Sequence, residues 1–134
     1  MPTDFAVAIN VRQQFGDSSA RIEPDAPLVG PTKDFDFPTP NVDANAPAVL
    51  MFQTRGVNHP RNILQINGQG VFGGIPVTPS HAEWNGNIML ISPGVLRGTG
   101  QNTMHIESRN AAGGGGGNLD DFMIDNAVVL YKTR

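Results

Sequence analysis

Cysteine is absent from this sequence of 134 residues. Without a thiol, the chain cannot form a disulfide, hold a metal through thiolates or use cysteine as a nucleophile. The absence does not fix the cellular compartment, because many extracellular bacterial β-domains also lack cysteine.

Long apolar runs are missing as well. No stretch reaches the roughly 18 apolar residues that indicate a transmembrane helix, so the sequence predicts no membrane span. The N-terminus has no basic region followed by an apolar core, and no signal peptide is visible. We expect an extracellular or particle-associated location, reached by another export route, by lysis or with a leader that this sequence does not show.

Positive charge is scarce and dispersed. The net charge is −3, and the nine basic residues are scattered rather than clustered. A surface that binds nucleic acid needs concentrated positive charge. The sequence therefore argues against a nucleic-acid partner.

Glycine and proline are abundant by contrast, with 16 and 11 residues. Frequent turn residues fit many short strands joined by turns. The length allows one domain with a real core, and we predict a single β-sandwich domain over residues 1–134. Six of the prolines (24, 27, 31, 38, 40 and 47) mark a proline-rich loop segment at 21–47, because proline lacks the N–H that a strand ladder needs.

Apolar and polar residues alternate in several stretches, which is the period of a β-strand. We predict about eight strands and no helix. The predicted strands cover residues 4–11, 33–37, 48–54, 61–66, 71–72, 86–92, 104–107 and 122–131. In the first strand, strict alternation places Phe5, Val7 and Ile9 on one face.

The last predicted strand is apolar on both faces. Strict alternation places Phe122, Ile124, Val128 and Leu130 on one face, with Asn126 as the polar exception. A strand that is apolar on both faces is usually central or covered. We expect this strand and the one before it to face each other across a glycine-rich loop and to close an antiparallel sandwich.

Three motifs in the second half of the chain resemble those of galactose-binding-like jelly rolls. They are the turn Ile66-Asn67-Gly68, the strand start LRGTGQNTMHI at 96–106 and the final strand FMIDNAVVL at 122–130. The second is similar to the sugar-binding domain of family 2 glycoside hydrolases, and the third resembles jelly-roll carbohydrate-binding modules. The resemblance implies an all-β, antiparallel jelly-roll β-sandwich and a non-catalytic, lectin-like function, although a shared fold does not settle function. Read physically, Asn102 can hold a turn by bonding nearby backbone.

The resemblance also implies a structural calcium ion at Asp125, because similar modules use an aspartate of the last strand with oxygen ligands from an early loop. Asp121 lies close to it in sequence, and Asp17, Glu23 or Asp25 could supply the early-loop oxygens. Calcium takes about six to eight oxygen ligands, and no D-x-D-x-D-G loop is present. In the alternative interpretation, Asp125 bonds loop amides or pairs with an arginine.

Two polar loops are candidate sugar-binding loops. In H-A-E-W-N-G-N, Trp84 could stack on a sugar ring while His81 and Asn85 add hydrogen bonds. In R-G-V-N-H-P-R, Arg55 and His59 follow the most apolar strand, and loops at one end of a sandwich often carry binding groups. Alternatively, the indole packs over the sandwich rim and the second loop is a solvated turn. The chain has one Trp and one Tyr, so an aromatic platform for sugars is small.

Catalytic motifs are missing. The sequence has no G-x-S-x-G elbow, and its H-x-E pairs at His81/Glu83 and His105/Glu107 lack the cysteines of a zinc deaminase. The second pair is more simply a polar pair on the solvent side of a strand. We therefore predict that the protein is not an enzyme.

A structural role is the second hypothesis. A stand-alone chain with few aromatic residues and with proline- and glycine-rich segments suits a module that forms a homo-oligomer or decorates a virion, sheath or filament. The glycine run at 113–117 would then be a close subunit contact or a mobile loop. The predicted partner is accordingly a carbohydrate or a protein assembly.

Overall fold

The computed structural model describes residues 1–17 and 26–134. Within these residues the chain forms ten β-strands and no helix. This described part of the chain therefore contains no helix that is long and apolar enough to cross a membrane. The strands are β1 (Thr3–Ile9), β2 (Gln13–Phe15), β3 (Leu28–Gly30), β4 (Thr32–Phe37), β5 (Ala48–Arg55), β6 (Ile63–Ile66), β7 (Gln69–Gly70), β8 (Asn85–Ile91), β9 (Asn102–Glu107) and β10 (Phe122–Lys132). The predicted all-β class is confirmed.

The strands form two sheets around one hydrophobic core. The larger sheet has six strands in the order β3-β2-β10-β5-β8, with β1 pairing with another part of β10. The smaller sheet has four strands in the order β4-β9-β6-β7. Buried residues of both sheets, among them Leu50, Phe122, Ile66 and Met104, belong to one packed cluster. The architecture is therefore a β-sandwich.

The most apolar run of the sequence forms β5, which lies between β10 and β8 as expected of a central strand. Its side chains alternate in burial: Leu50, Phe52 and Thr54 face the core, whereas Met51 and Gln53 face outward. The inward set supplies the apolar burial that stabilises the sandwich.

A bulge in β10 changes which of its residues face the core. The pairing with β5 shifts between Asp125 and Val128, and Asn126 there has a φ of 50°. An inserted residue reverses the alternation, so Ala127 continues the buried face that begins at Ile124. The prediction that Val128 shares a face with Ile124 is wrong for this reason.

A second bulge, between Val7 and Ile9, has the same effect in β1. Ala6 and Ile9 are buried, whereas Phe5 is 63% exposed and Val7 is 46% exposed. The prediction that Phe5, Val7 and Ile9 share a face is therefore wrong. Before the bulge, the strand presents Phe5 and Val7 to water and the small Ala6 to the core.

Other differences concern short elements. β2 lies in a polar stretch where the sequence predicts no strand, and its Phe15 stacks on Phe122 with ring centroids 5.4 Å apart. β7 takes the place of the strand predicted at 71–72, and Phe72 beyond it is 79% exposed.

β9 and β10 belong to different sheets and lie on opposite sides of the core. The predicted loop segment at 21–47 contains β3 and β4, while its first residues, 21–25, lie outside the described residues.

The glycine run at 113–117 packs against its own loop. The Oδ1 atom of Asn110 accepts hydrogen bonds from the N–H groups of Ala112 (3.0 Å) and Gly114 (2.9 Å). A Cβ added at Gly114 would lie 3.1 Å from Asn110 Nδ2, which is a tight contact. The absence of a side chain at Gly114 thus allows the backbone to approach Asn110 of the same loop closely.

Asn67 and Asn102, from two of the motifs shared with jelly rolls, meet in a buried hydrogen-bond node. The Nδ2 atom of Asn102 donates to Thr39 Oγ1 (2.9 Å) and to Phe37 O (3.2 Å). Its Oδ1 atom accepts from the N–H of Arg97 (2.8 Å) and from Asn67 Nδ2 (2.9 Å). One buried amide therefore ties together the end of β4, the β6–β7 turn and the loop before β9. Its bond to Arg97 is the predicted bond to nearby backbone, whereas its other partners are 35 to 65 positions away.

Asn102→Ala is expected to lower the free energy of unfolding by about 2–4 kcal/mol, because it leaves buried donors and acceptors without partners. Urea unfolding followed by the fluorescence of Trp84 measures the change. Asn10→Ala, at an exposed asparagine, is the matched control and is expected to stay within about 0.5 kcal/mol of the wild type. An equally small loss for Asn102→Ala would contradict the role of the node.

Candidate functional site

Four of the five predicted ligand-binding residues converge at one end of the six-stranded sheet. Arg55 ends β5, and its Nε donates to the carbonyl oxygen of His81 at 2.8 Å. Asn85 begins β8 opposite Thr54 of β5, and Trp84 directly precedes it. The pairing of β5 with β8 thus brings the two predicted loops together.

The indole of Trp84 is half-buried and has a cation beside it. Arg12 Cζ lies 5.9 Å from the centroid of the Trp84 ring, which is a cation–π distance. Arg12 Nε lies 3.6 Å from Asp125 Oδ2, so this arginine links the indole to β10. Part of the ring is therefore covered, and less of it is open to a sugar than the sequence hypothesis assumes.

Asp125, the first predicted calcium ligand, has protein partners on both oxygens. Its Oδ2 faces Arg12, and its Oδ1 accepts from the backbone N–H of Asn126 at 2.8 Å. These contacts match the alternative interpretation, in which the carboxylate pairs with an arginine and bonds an amide. Both contacts would compete with a metal ion for the same oxygens.

Asp121, the second predicted calcium ligand, packs against the early loop. A Cβ added at Gly16 would lie 1.8 Å from Asp121 Oδ1, so the glycine permits this approach. Asp17 Oδ2 accepts a hydrogen bond of 3.2 Å from the backbone N–H of Leu119, which lies two residues before Asp121. Among residues 1–17 and 26–134, no group of three or more His, Asp or Glu could hold a metal ion. Glu23 and Asp25 lie outside these ranges, and calcium stays a prediction.

His59 belongs to a different cluster, built around the buried carboxylate of Asp120. That carboxylate accepts from Asn58 N (2.9 Å), Asn58 Nδ2 (2.8 Å) and Asn62 Nδ2 (2.8 Å). His59 Nε2 lies 4.0 Å from Asp120 Oδ2, and its Nδ1 accepts from the N–H of Arg61 at 3.2 Å. The cluster ties the loop after β5 to the start of β10. Sequence reasoning missed it because the bonded partners are 58 to 62 positions apart.

A groove of about 490 Å³ lies on the outer face of the six-stranded sheet. It is lined by the apolar side chains of Met51, Ile88 and Val128, by Gly86 and by the amides of Gln53 and Asn126. Asn126 Nδ2 donates to Gln53 Oε1 at 2.8 Å. A Cβ added at Gly86 would meet no atom within 4 Å, so the glycine leaves this part of the groove open. Sequence reasoning missed both amides, since the bulge decides where Asn126 lies.

Two rows of apolar side chains cross the same outer face. The residues of each row pair across neighbouring strands, the first being Phe5, Leu130, Val49 and Leu90 and the second Val7, Val128, Met51 and Ile88. We call these eight residues the outer patch; it contains no charged residue. Its most exposed members are Phe5 (63%), Val7 (46%), Met51 (40%), Ile88 (69%) and Leu90 (49%).

The outer patch is unusual for a face in contact with water. Antiparallel sheets with one solvated face normally place polar residues there. In β8, however, Ile88 and Leu90 face outward, while the polar Asn87 donates to Thr54 Oγ1 (3.0 Å) on the inner side. Contiguous apolar surface of this kind is often functional in monomeric proteins.

A charged network covers the outer face of the four-stranded sheet. His105 of β9 bonds Asp34 of β4 through Nδ1, and its Nε2 lies 2.8 Å from Glu107 Oε1. Arg109 donates to the other oxygen of Glu107. The carboxylates of Glu107 and Asp34 raise the pKa of His105 above 6.5, and the bond to His105 lowers the pKa of Glu107 below 4.5. His105 and Glu107 thus form the solvent-side polar pair that the sequence favours, and Asp34 and Arg109 add two further charged groups to it.

Comparison with known protein families finds no family model that matches the chain, and comparison with curated proteins finds no match. The resemblance to galactose-binding-like jelly rolls therefore stays a prediction. The positions of Asn67 and Asn102 are explained by turn geometry and by buried hydrogen bonds, whichever family the chain comes from.

Calcium at Asp125 and Asp121 predicts that EDTA lowers the melting temperature, because an ion that binds the folded state stabilises it. Calorimetry in calcium and in EDTA measures the shift. Asp125→Asn is expected to abolish the shift, whereas Asp36→Asn, at an exposed aspartate of β4, keeps it. Identical melting curves of the wild type in the two buffers would contradict the site.

The charged network predicts a pH-dependent stability. A pKa raised on folding means that protonated His105 stabilises the fold fully below pH 6.5, and that this contribution is lost as pH rises through the folded-state pKa. His105→Gln should therefore cost more free energy of unfolding at about pH 5.5 than at about pH 8.5. Gln65→Ala, at the neutral residue opposite His105 on β6, should cost the same at both. Equal costs for His105→Gln at the two pH values would refute the coupling.

Proposed function

We propose that the protein is a non-catalytic, lectin-like carbohydrate-binding module with the connectivity of a galactose-binding-like jelly roll. The observation that carries the proposal is the groove on the outer face of the six-stranded sheet. Apolar side chains and amides lie next to each other there, and a sugar ring presents apolar C–H faces beside hydroxyl groups. Ligand sites commonly combine an apolar lining with a few polar groups that fix orientation.

The groove offers both kinds of contact. Met51, Ile88 and Val128 supply an apolar surface for C–H groups. The amides of Gln53 and Asn126 can donate to hydroxyl groups and accept from them. Because the two amides already bond each other at 2.8 Å, less orientational freedom is lost when a ligand binds.

The residues gathered at the end of β8 extend this site. Trp84 and Asn85 directly precede Gly86 of the groove, and the Arg55–His81 hydrogen bond holds their loop against β5. His59 is left out of the proposed site, because its contacts are with the Asp120 cluster. The main contact with the sugar is therefore made by the face of the six-stranded sheet, and the predicted loops contribute at its edge.

A glycan and polysaccharide binding screen on folded protein tests the proposal. We expect binding to at least one saccharide, and we expect Gly86→Leu to abolish it because the new side chain fills the groove. The substitution should preserve the fold, since an added Cβ meets open space. Gly70→Leu, at a glycine of β7 with equally open surroundings, is the matched control and should retain binding. A blank screen, or binding that survives Gly86→Leu, would contradict the proposal.

Trp84→Ala measures how far the site extends. Loss of binding in this variant as well as in Gln53→Ala indicates that the indole contacts the sugar. Loss in Gln53→Ala alone indicates that the indole packs on the rim under Arg12. Both variants should keep the circular-dichroism spectrum of the wild type, because neither removes a fully buried side chain.

The outer patch favours a second candidate function, a structural module that forms a homo-oligomer or decorates a larger assembly such as a virion, sheath or filament. Apolar side chains that cross four strands and face water have a physical use when another surface covers them. A sugar in the groove would cover Met51, Ile88 and Val128, but it would leave Phe5 and Leu90 exposed.

A further inference from the structure

We infer that the outer patch binds the outer patch of a second copy of this chain, so that the protein forms a face-to-face homodimer. The inference rests on the second candidate function, assembly, and does not require that the protein binds a sugar. It names the partner and the surface that the assembly uses.

The exposed area of the outer patch is about three-quarters of what one partner buries in an interface of standard size. With five members at least 40% exposed and three half-buried, the patch offers roughly 600 Å² of apolar surface, against about 800 Å² per partner in an interface of standard size. Polar residues around the patch can supply the remainder. The patch also lies at the upper end of the range for the largest patch on a monomer, about 300–600 Å².

The shape of the outer patch suits another sheet face. Its residues form two rows across β1, β10, β5 and β8, so side chains recur about every 4.8 Å across the strands and about every 7 Å along them. Two such pleated faces can interdigitate about 10 Å apart, as the inner faces of a sandwich do. A two-fold interface uses the same surface on both copies, so the patch is sufficient by itself.

The charge distribution agrees with an apolar, self-associating face. A partner chosen by charge would need charged groups in the contact, and the outer patch has none. Each chain carries a net charge of −3, but repulsion between surface charges is screened beyond about 8 Å at physiological ionic strength. Packing apolar rows together therefore brings no like charges into direct contact within the patch.

Light scattering across a dilution series tests the inference on the wild-type chain. We expect a dimer at micromolar concentration that dissociates on dilution. Ile88→Glu and Phe5→Glu should each weaken the dimer by at least about 30-fold in Kd, because each places an unpaired carboxylate against apolar side chains in the contact. The two residues lie on different strands and are exposed in the single chain, so circular dichroism should show an intact fold.

Phe72→Glu is the matched control. Phe72 is 79% exposed but follows β7 of the other sheet, so its substitution should leave the dimer intact. Added sodium chloride should also leave the dimer intact. A monomer at every concentration, an oligomer that survives both patch variants, or dissociation by salt would overturn the inference. Because a dimer would cover part of the groove, the glycan screen is repeated on Phe5→Glu, whose substitution lies outside the groove, so that each proposal can fail without the other.

Discussion

The sandwich depends on the pairing of β10. This strand of eleven residues is hydrogen-bonded to β1, β2 and β5, and five of its six buried side chains, all except Met123, lie in the common core. The bulge at Asn126 then decides which side chains of β10 face the core and which face outward. With strict alternation, Val128 would enter the core and Ala127 would face outward, because a shift of one residue exchanges the two faces of a strand. One inserted residue therefore sets the composition of the core and of the outer face together.

The groove and the outer patch share Met51, Ile88 and Val128. A sugar and a second copy would therefore bind overlapping surfaces, and each would lower the apparent affinity of the other. Gln53 and Asn126 lie at the border of the patch, so the polar half of the groove stays outside the apolar contact. If both proposals hold, ligand concentration and assembly state are coupled through one row of side chains.

Period-two patterning was sufficient to predict most strands, since burial alternates regularly in β5 and β9. It also predicted β1 and β10 as strands, but it assigned their faces wrongly across the bulges, because a bulge is defined by the pairing partner, which a local pattern does not contain. The candidate site shows the same limit. The bond between Arg55 and His81 spans 26 positions and that between Asn126 and Gln53 spans 73, so both depend on sheet pairing. The motifs predicted the turns correctly, because turn geometry is local. The predicted bond of Asn102 to nearby backbone is its bond to Arg97, whereas its other partners are 35 to 65 positions away.

The position of β10 in the chain also bears on how the protein is made. Lys132 of β10 bonds Thr3 of β1 across 129 positions. β10 is therefore synthesised after β1, β2 and β5, the three strands with which it pairs. β5 and β8 leave the ribosome with one edge unpaired and with apolar side chains on both faces. Pairing over such distances is slow, because loop-closure entropy is lost before contacts compensate for it. Until β10 is synthesised, the nascent chain therefore exposes an unpaired strand edge and apolar side chains, which favour aggregation.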